Sequence, residues 1–407
     1  MGLCSDVLIG WAGGRDLVVM TATAMHAAEP LSRLCLLVPG AEPAEPKFTW
    51  KRFRYAVKDA LKAVIGRPRL KNSPEATLIL ARSELISRIR ANVPGMEVRY
   101  CAGLDDDLKQ TAADLRLDAI YLAMRLPTPR PHCALIGYVP DYQHRHLPHL
   151  FSAKELALRD EISGMLIDSS DAVVMNARVV AEDMRRFKGE PLPGLHALPF
   201  APNLDQEWLQ PRPWLLSAYE IAGPYFIVCN QFWMHKDHLT AFRAMAEVLK
   251  RRPDVTLVCT GGTDDYRDPG YFVKLKNEAA KLGLGSRLRL VGHIPKRDQI
   301  ELLKHAVALI QPTLFEGGPG GGSTYEAVAL GQRVLLSDLP VNREADSGDI
   351  RFFPCGDHLT LSRLMEMALA EVPKPHDEAT LLAQSEASLR RYGEAVWGAI
   401  RDATSAK

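Results

Sequence analysis

Short apolar runs alternate with longer amphipathic stretches along most of the chain. In the first half the runs fall at residues 7–11, 34–38, 77–80, 119–122, 134–139 and 172–175. In the second half they fall at 225–229, 255–259, 288–291, 307–310 and 333–336. Continuous apolar runs of this length, separated by helix-period patterns, predict buried parallel strands in strand–helix–strand units. The pattern therefore predicts an α/β protein with two such series. Between them lie Pro199, Pro202, Pro211, Pro213 and Pro224. Proline suits neither a helix interior nor a central strand, so this stretch predicts a linker. The expected division is an N-terminal domain over 1–205, a C-terminal domain over 206–385, and a last helix over 386–407 that returns to the N-terminal domain. That helix carries Leu389, Tyr392, Ala395, Val396 and Ile400 at near-helical spacing. Doubly wound sheets bind ligands at the carboxyl ends of their strands, so two facing domains put a ligand in the cleft between them.

Composition agrees with this picture. The chain has 407 residues, more than one core usually supports. Its 47% hydrophobic and 24% charged residues exclude global disorder. Lys and Arg total 50 against 49 Asp and Glu, a net charge of +1, which lacks the basic excess of a nucleic-acid binder. The seven cysteines include no C-x-x-C pair and several sit in apolar runs, as expected of buried free thiols in a reducing cytoplasm. No uncharged run approaches the roughly 18 residues of a membrane helix. The N-terminal apolar stretch has no basic start and is cut by Gly13, Gly14, Arg15 and Asp16, unlike a signal peptide. Charge is uneven, however. From Lys47 to Lys71 there are nine basic residues and one acid, an excess of +8 that leaves −7 for the rest. Aromatics are interleaved there, and such a stretch can dock on anionic lipid at roughly 1 kcal/mol per cation.

Candidate chemistry clusters at strand ends. The strongest feature runs from Leu314 to Ala327, between the run VALIQP and the helical EAVAL. It contains Glu316, then Gly317, Gly318, Gly320, Gly321 and Gly322, then Ser323, Thr324 and Glu326. Glycines at a strand-to-helix turn let the backbone approach a ligand closely, and the helix start offers free N–H groups to an anion. Glu316 and Glu326, the latter expected on the first helical turn, can accept hydrogen bonds from ligand hydroxyls. Directly after the run 225–229 comes Asn230, followed by His235, Lys236, Asp237 and His238. Lys236 is placed to neutralise a diphosphate that leaves with its negative charge. His235 and His238 lack the companions of a zinc site, and no catalytic metal is expected. Gly13 and Gly14 follow the first apolar run but do not form the G-x-G-x-x-G dinucleotide fingerprint. Asp141 and His144, after the run 134–139, are a candidate pair in which the carboxylate orients an imidazole facing the cleft. Asp105, Asp106 and Asp107 contain D-x-D, but they precede LKQTAADL and read as an acidic helix start.

The segment from Glu316 to Glu326, continued by AVALG and RVLLSD, resembles the signature of the retaining family 4 nucleotide-sugar glycosyltransferases, of the glycosyl transferases group 1 type. The resemblance covers most of residues 225–357 and extends more loosely over the N-terminal half. It implies the GT-B fold: two facing, doubly wound Rossmann-like domains with a cleft between them. It also implies that the first Glu lies near the donor sugar, that the second binds the ribose, and that amides of the turn contact the sugar and phosphates. Lys236 matches a diphosphate-binding Lys of the family, while the Arg that accompanies it falls on Asn230 or Gln231. Gly13 and Gly14 correspond to an N-domain loop facing the phosphates and the acceptor. Gly261, Gly262 and Ile294 fall where the base pocket lies. One departure is plain: nine residues separate Glu316 from Glu326, where the family has seven.

The resemblance implies a retaining, hexosyltransferase-type enzyme with no cofactor beyond its donor, a GDP- or UDP-sugar or similar. Its acceptor would be a glycan or a lipid-linked molecule, in bacterial surface polysaccharide or lipopolysaccharide synthesis. The expected location is cytoplasmic, peripheral on the inner face of the membrane where the basic segment touches it. Two other readings stand beside this one: a non-catalytic nucleotide-sugar-binding protein of the same fold, and a sugar-nucleotide epimerase.

Overall fold

Most of the apolar runs become the buried centres of two sheets. The computed structural model describes residues 1–40, 74–101, 106–371 and 377–405. The first series of strands is β1 Gly2–Cys4, β2 Cys35–Pro39, β3 Glu97–Cys101, β4 Ala119–Ala123, β5 Ala134–Tyr138, β6 Ala172–Met175 and β7 Gly194–Ala197. The second is β8 Tyr225–Cys229, β9 Thr256–Thr260, β10 Leu288–Gly292, β11 Ala308–Gln311, β12 Val334–Ser337 and β13 Ile350–Phe353. The sheet orders are β3-β2-β1-β4-β5-β6-β7 and β10-β9-β8-β11-β12-β13. Every pairing in them is parallel. Buried clusters line both faces of each sheet, so each domain has helix, sheet and helix layers.

Two predicted strands are corrected. Residues 7–11 form a 3-10 turn over Val7–Gly10, and the first strand is the shorter Gly2–Cys4 before it. Residues 77–80 lie inside the helix Pro74–Asn92, where Ile79 is 47% and Leu80 58% exposed. The apolar run there marks an exposed helix face rather than a buried strand. The structure also adds β3, β7 and β13, which the run pattern does not contain. Four cysteines are buried as expected, but Cys355 is exposed. No helix of the described residues is long and apolar enough to cross a membrane. The basic segment from Lys47 to Lys71 and Asp105 lie outside the described residues. The helix Asp106–Asp114 starts beside the latter.

The chain crosses between the sheets from Ala197 to Tyr225. It comes back through the helix Glu378–Ser405, whose second half packs on the helix Ala12–Ala28. Trp397 Nε1 donates to the Met25 carbonyl at 3.0 Å, and the hydroxyls of Tyr392 and Thr21 are 3.4 Å apart. Gly393 is required at this crossing, because a Cβ there would stand 2.0 Å from the Ala24 carbonyl oxygen.

Candidate functional site

Both sheets reverse their strand order beside the strand they start from, β1 in one and β8 in the other. A crevice opens outside the carboxyl ends of strands at such a point. In the second sheet the point lies between β8 and β11. The loops leaving these two strands carry the two strongest motifs, so topology alone brings Lys236 and Glu316 together across 80 residues of sequence. Lys236 Nζ donates to Glu316 Oε1 at 2.5 Å, and both side chains are largely buried.

The layer beneath this pair is polar and mostly satisfied. Asn230 Nδ2 donates to Gln311 Oε1 at 2.6 Å, and Gln311 Nε2 donates to the Gly320 carbonyl at 2.5 Å. Asn230 therefore supports the turn from below. Asn342, wholly buried, accepts from Gly320 N at 2.8 Å and anchors itself to the Ser337 carbonyl at 2.8 Å. These amides fix the glycine turn before any ligand arrives.

The glycines divide by what they touch. Gly317 lies against Pro140 and Asp141, and Gly318 against Asn176, all of the first domain. These two serve the contact between domains. Gly320 and Gly321, at φ 66° and 67°, wind the chain into the helix Gly321–Ala329, with Gly321 against the Glu316 carboxylate. Gly322 has open space beside it. The Ser323 hydroxyl is buried in the first turn without a hydrogen-bond partner, while Thr324 Oγ1 donates to the Gly320 carbonyl at 2.8 Å. Free amides and a spare hydroxyl at a helix start suit an anionic ligand.

Glu326 is corrected by one turn: it is the sixth residue of that helix, not on its first turn. Lys296, the first residue of the helix Lys296–His305, contacts Glu326 Oε1, and Gln299 Nε2 donates to Glu326 Oε2 at 3.0 Å. Lys296 Nζ also stands 3.6 Å from Asp16 of the first domain. Burial opposes its charge, but Glu326 and Asp16 outweigh it and hold the ammonium above its ordinary value. Sequence reasoning missed Lys296. One signal was available: a cation opening a helix runs against the helix dipole.

The other base-pocket candidates have structural roles. Gly261, at φ 138°, lets the end of β9 meet the Asn230 backbone, where a Cβ would be 2.0 Å from the carbonyl oxygen. The Ile294 side chain is part of the C-terminal core.

In the first domain two expectations change. Gly13 and Gly14 stand in the first turn of the helix Ala12–Ala28, and the Trp11 indole lies over both. The Asp141–His144 pair does not form. Asp141 Oδ1 accepts from Gln143 N at 2.8 Å, while the buried His144 ring meets Asp160 at 2.9 Å. His144 thus faces the interior of its own domain. The imidazole that reaches the other domain is His146, whose ring centroid is 5.4 Å from that of Phe315 and whose Nε2 is 2.7 Å from Asp183. Glu344 of the second domain adds a further bridge, accepting from the backbone N–H groups of Arg178 and Val179, both at 2.9 Å.

His235 and His238 flank Lys236 but are interior rings. His238 stacks on Phe232 at 4.3 Å between centroids, and neither of its ring nitrogens makes a well-formed hydrogen bond. Among the described residues no group of His, Cys, Asp or Glu is arranged to hold a metal ion. Burial first, and the charge of Lys236 second, lower the two rings to about 2 and about 3. Above pH 6.5 both rings are neutral whether the chain is folded or not. Below it the unfolded chain takes up protons that the folded chain refuses, so stability falls by about 1.4 kcal/mol per ring per pH unit. His238→Phe should therefore flatten the acid limb of a melting-temperature profile between pH 6 and 4.5. An unchanged limb would refute the buried neutral ring.

Residues 222–376 match the family model described as Glycosyl transferases group 1. No curated protein sequence matches the chain. Among solved structures, HepE of Anabaena in complex with UDP-glucose is 13% identical with a TM-score of 0.60, and the alignment covers 100% of both chains. Sucrose-phosphate synthase of Thermosynechococcus elongatus is 15% identical with a TM-score of 0.53, covering 100% of this chain and 96% of that one. WaaG, a glycosyltransferase involved in lipopolysaccharide biosynthesis, is 14% identical with a TM-score of 0.50, covering 100% and 98%. These likenesses establish the fold, which is GT-B.

Proposed function

We propose that this chain, with its glycosyl transferases group 1 domain at residues 222–376, moves a sugar from a nucleoside-diphosphate sugar to an acceptor hydroxyl with retention at the anomeric carbon. The observation that carries the reading is the juxtaposition at the β8–β11 crevice. There a lysine, a fixed glycine turn with spare donors and two carboxylates converge on the space facing the first domain. Lys236 and the amides at the start of Gly321–Ala329 would take the diphosphate. Glu316 would meet the sugar and Glu326 the ribose. With no protein nucleophile assigned, the protein contributes position and charge stabilisation. The sugar moved would be a hexose and the acceptor a glycan or lipid-linked molecule in bacterial surface polysaccharide or lipopolysaccharide synthesis, approaching the first domain, where the basic segment can meet an anionic surface.

HepE was solved with UDP-glucose, so UDP-sugars are the first donors to try, beside GDP- and ADP-sugars in a thermal-shift panel. Glu326→Ala should weaken binding of the preferred nucleotide about ten- to a hundredfold, as expected for hydrogen bonds to a charged group. Wild-type affinity in that variant, read by calorimetry, would sink the assignment. A second reading, nucleotide-sugar binding without transfer, is favoured by Asn230, which points at Gln311 and leaves no second cation in that loop. Release of nucleoside diphosphate in the presence of acceptor separates the two.

A further inference from the structure

We propose that Lys296 is a positioning residue that sets the Glu326 carboxylate to grip the vicinal hydroxyls of a ribose, and that Asp16 of the facing domain holds Lys296 in place. This deepens the nucleotide-sugar reading and rests on it. A carboxylate offers about four acceptor positions, two on each oxygen. Lys296 occupies one on Oε1 and Gln299 one on Oε2. The Gln299 amide is itself oriented, because its Oε1 accepts from Thr260 Oγ1 at 3.3 Å. One acceptor position remains on each oxygen, which is what two neighbouring hydroxyl donors require.

Lys296 is in turn tied to the other domain. Its Nζ is 3.6 Å from Asp16 Oδ2, and Arg88 Nη1 donates to Asp16 Oδ1 at 2.7 Å. Arg15 and Arg88 both reach Glu84, at 3.2 Å and 3.6 Å. Asp16 is thus fixed by its own domain, in the first turns of Ala12–Ala28 just after Gly13 and Gly14. The ribose grip is complete only when the two domains face each other, which links donor binding to the acceptor side.

The test is calorimetry with UDP, GDP and ADP, each beside its 2′-deoxy counterpart, on the full chain. The wild type should bind one ribonucleotide better than its deoxy form. Lys296→Met should lower ribonucleotide affinity about tenfold and leave deoxynucleotide affinity nearly unchanged, so the preference collapses. Lys296→Arg should restore most of the preference, and Asp16→Asn should reduce it in the same sense. A preference that survives both Lys296→Met and Asp16→Asn overturns the proposal, as does a wild type that binds both forms equally. A wild type that binds none of the six overturns the nucleotide-sugar reading itself.

Discussion

For the proposed sugar transfer, replacing Lys236 by alanine is expected to slow the reaction by about two to three orders of magnitude. The ammonium sits on the 3-10 turn Met234–Lys236, in the loop that leaves the carboxyl end of β8. The turn is held from both sides: Lys236 N donates to the Trp233 carbonyl at 2.9 Å, and Asp237 caps the following helix through Thr240. The charge is therefore in place before reaction, which is the condition for electrostatic stabilisation at full value. Losing one such preorganised donor costs about 2.7–4 kcal/mol of barrier height. In the free site Glu316 neutralises Lys236. In the proposed reaction the interaction with a departing diphosphate would grow as charge separates, and only such growth raises kcat. The measurement is steady-state release of nucleoside diphosphate. A fall in kcat larger than the accompanying rise in KM is the expected pattern. A kcat within threefold of wild type would remove Lys236 from the leaving-group role and leave its pairing with Glu316 as a structural one.

How much of this could be read from sequence follows from where each residue sits in its sheet. The central strands β4, β5, β6, β8, β9, β11 and β12 are buried on both faces and appear as unbroken apolar runs. Of the strands that the pattern omits, β3, β7 and β13 stand at sheet edges, while β1 is central but only three residues long. An edge strand is covered on fewer sides, so Glu97, Arg99, His196 and Arg351 are tolerated there and the run is broken. Residues 77–80 mislead for the opposite reason, being apolar yet exposed on a helix. At the site, Lys236, Glu316 and the glycines lie directly after apolar runs, so proximity to a strand end marked them. Lys296 and Asp16 are 280 residues apart, and His144 and Asp160 sit on different elements. No local pattern encodes those pairings, and the nearest acid to His144 in sequence was the wrong partner.

The pair Asp265–Arg267, only two residues apart, belongs to no motif that would single it out, and its loss should be the costliest to stability. Asp265 is wholly buried and Arg267 is 5% exposed. Asp265 Oδ1 accepts from Arg267 N at 3.1 Å and Nε at 2.9 Å, and its Oδ2 accepts from Met234 N at 3.0 Å. The guanidinium then reaches His235 Nδ1 at 3.3 Å and, across the cleft, Gln143 Oε1 at 3.4 Å. It also lies over the rings of Trp233, Tyr266 and Phe151 at 5.4 to 5.8 Å. Arginine cannot shed its proton to escape burial. Asp265→Ala therefore strands a buried charge, and about 3–5 kcal/mol of stability should be lost, read as a shift of the guanidinium unfolding midpoint. Asp265→Leu with Arg267→Met removes both charges and should recover most of that loss, since replacing a buried pair by apolar groups is often neutral. Recovery of stability without recovery of turnover is expected in the double variant. Asp265 also holds Met234 N, and without it the turn that presents Lys236 is less firmly set. A single variant that loses less than about 1 kcal/mol would place the guanidinium in water and refute its burial.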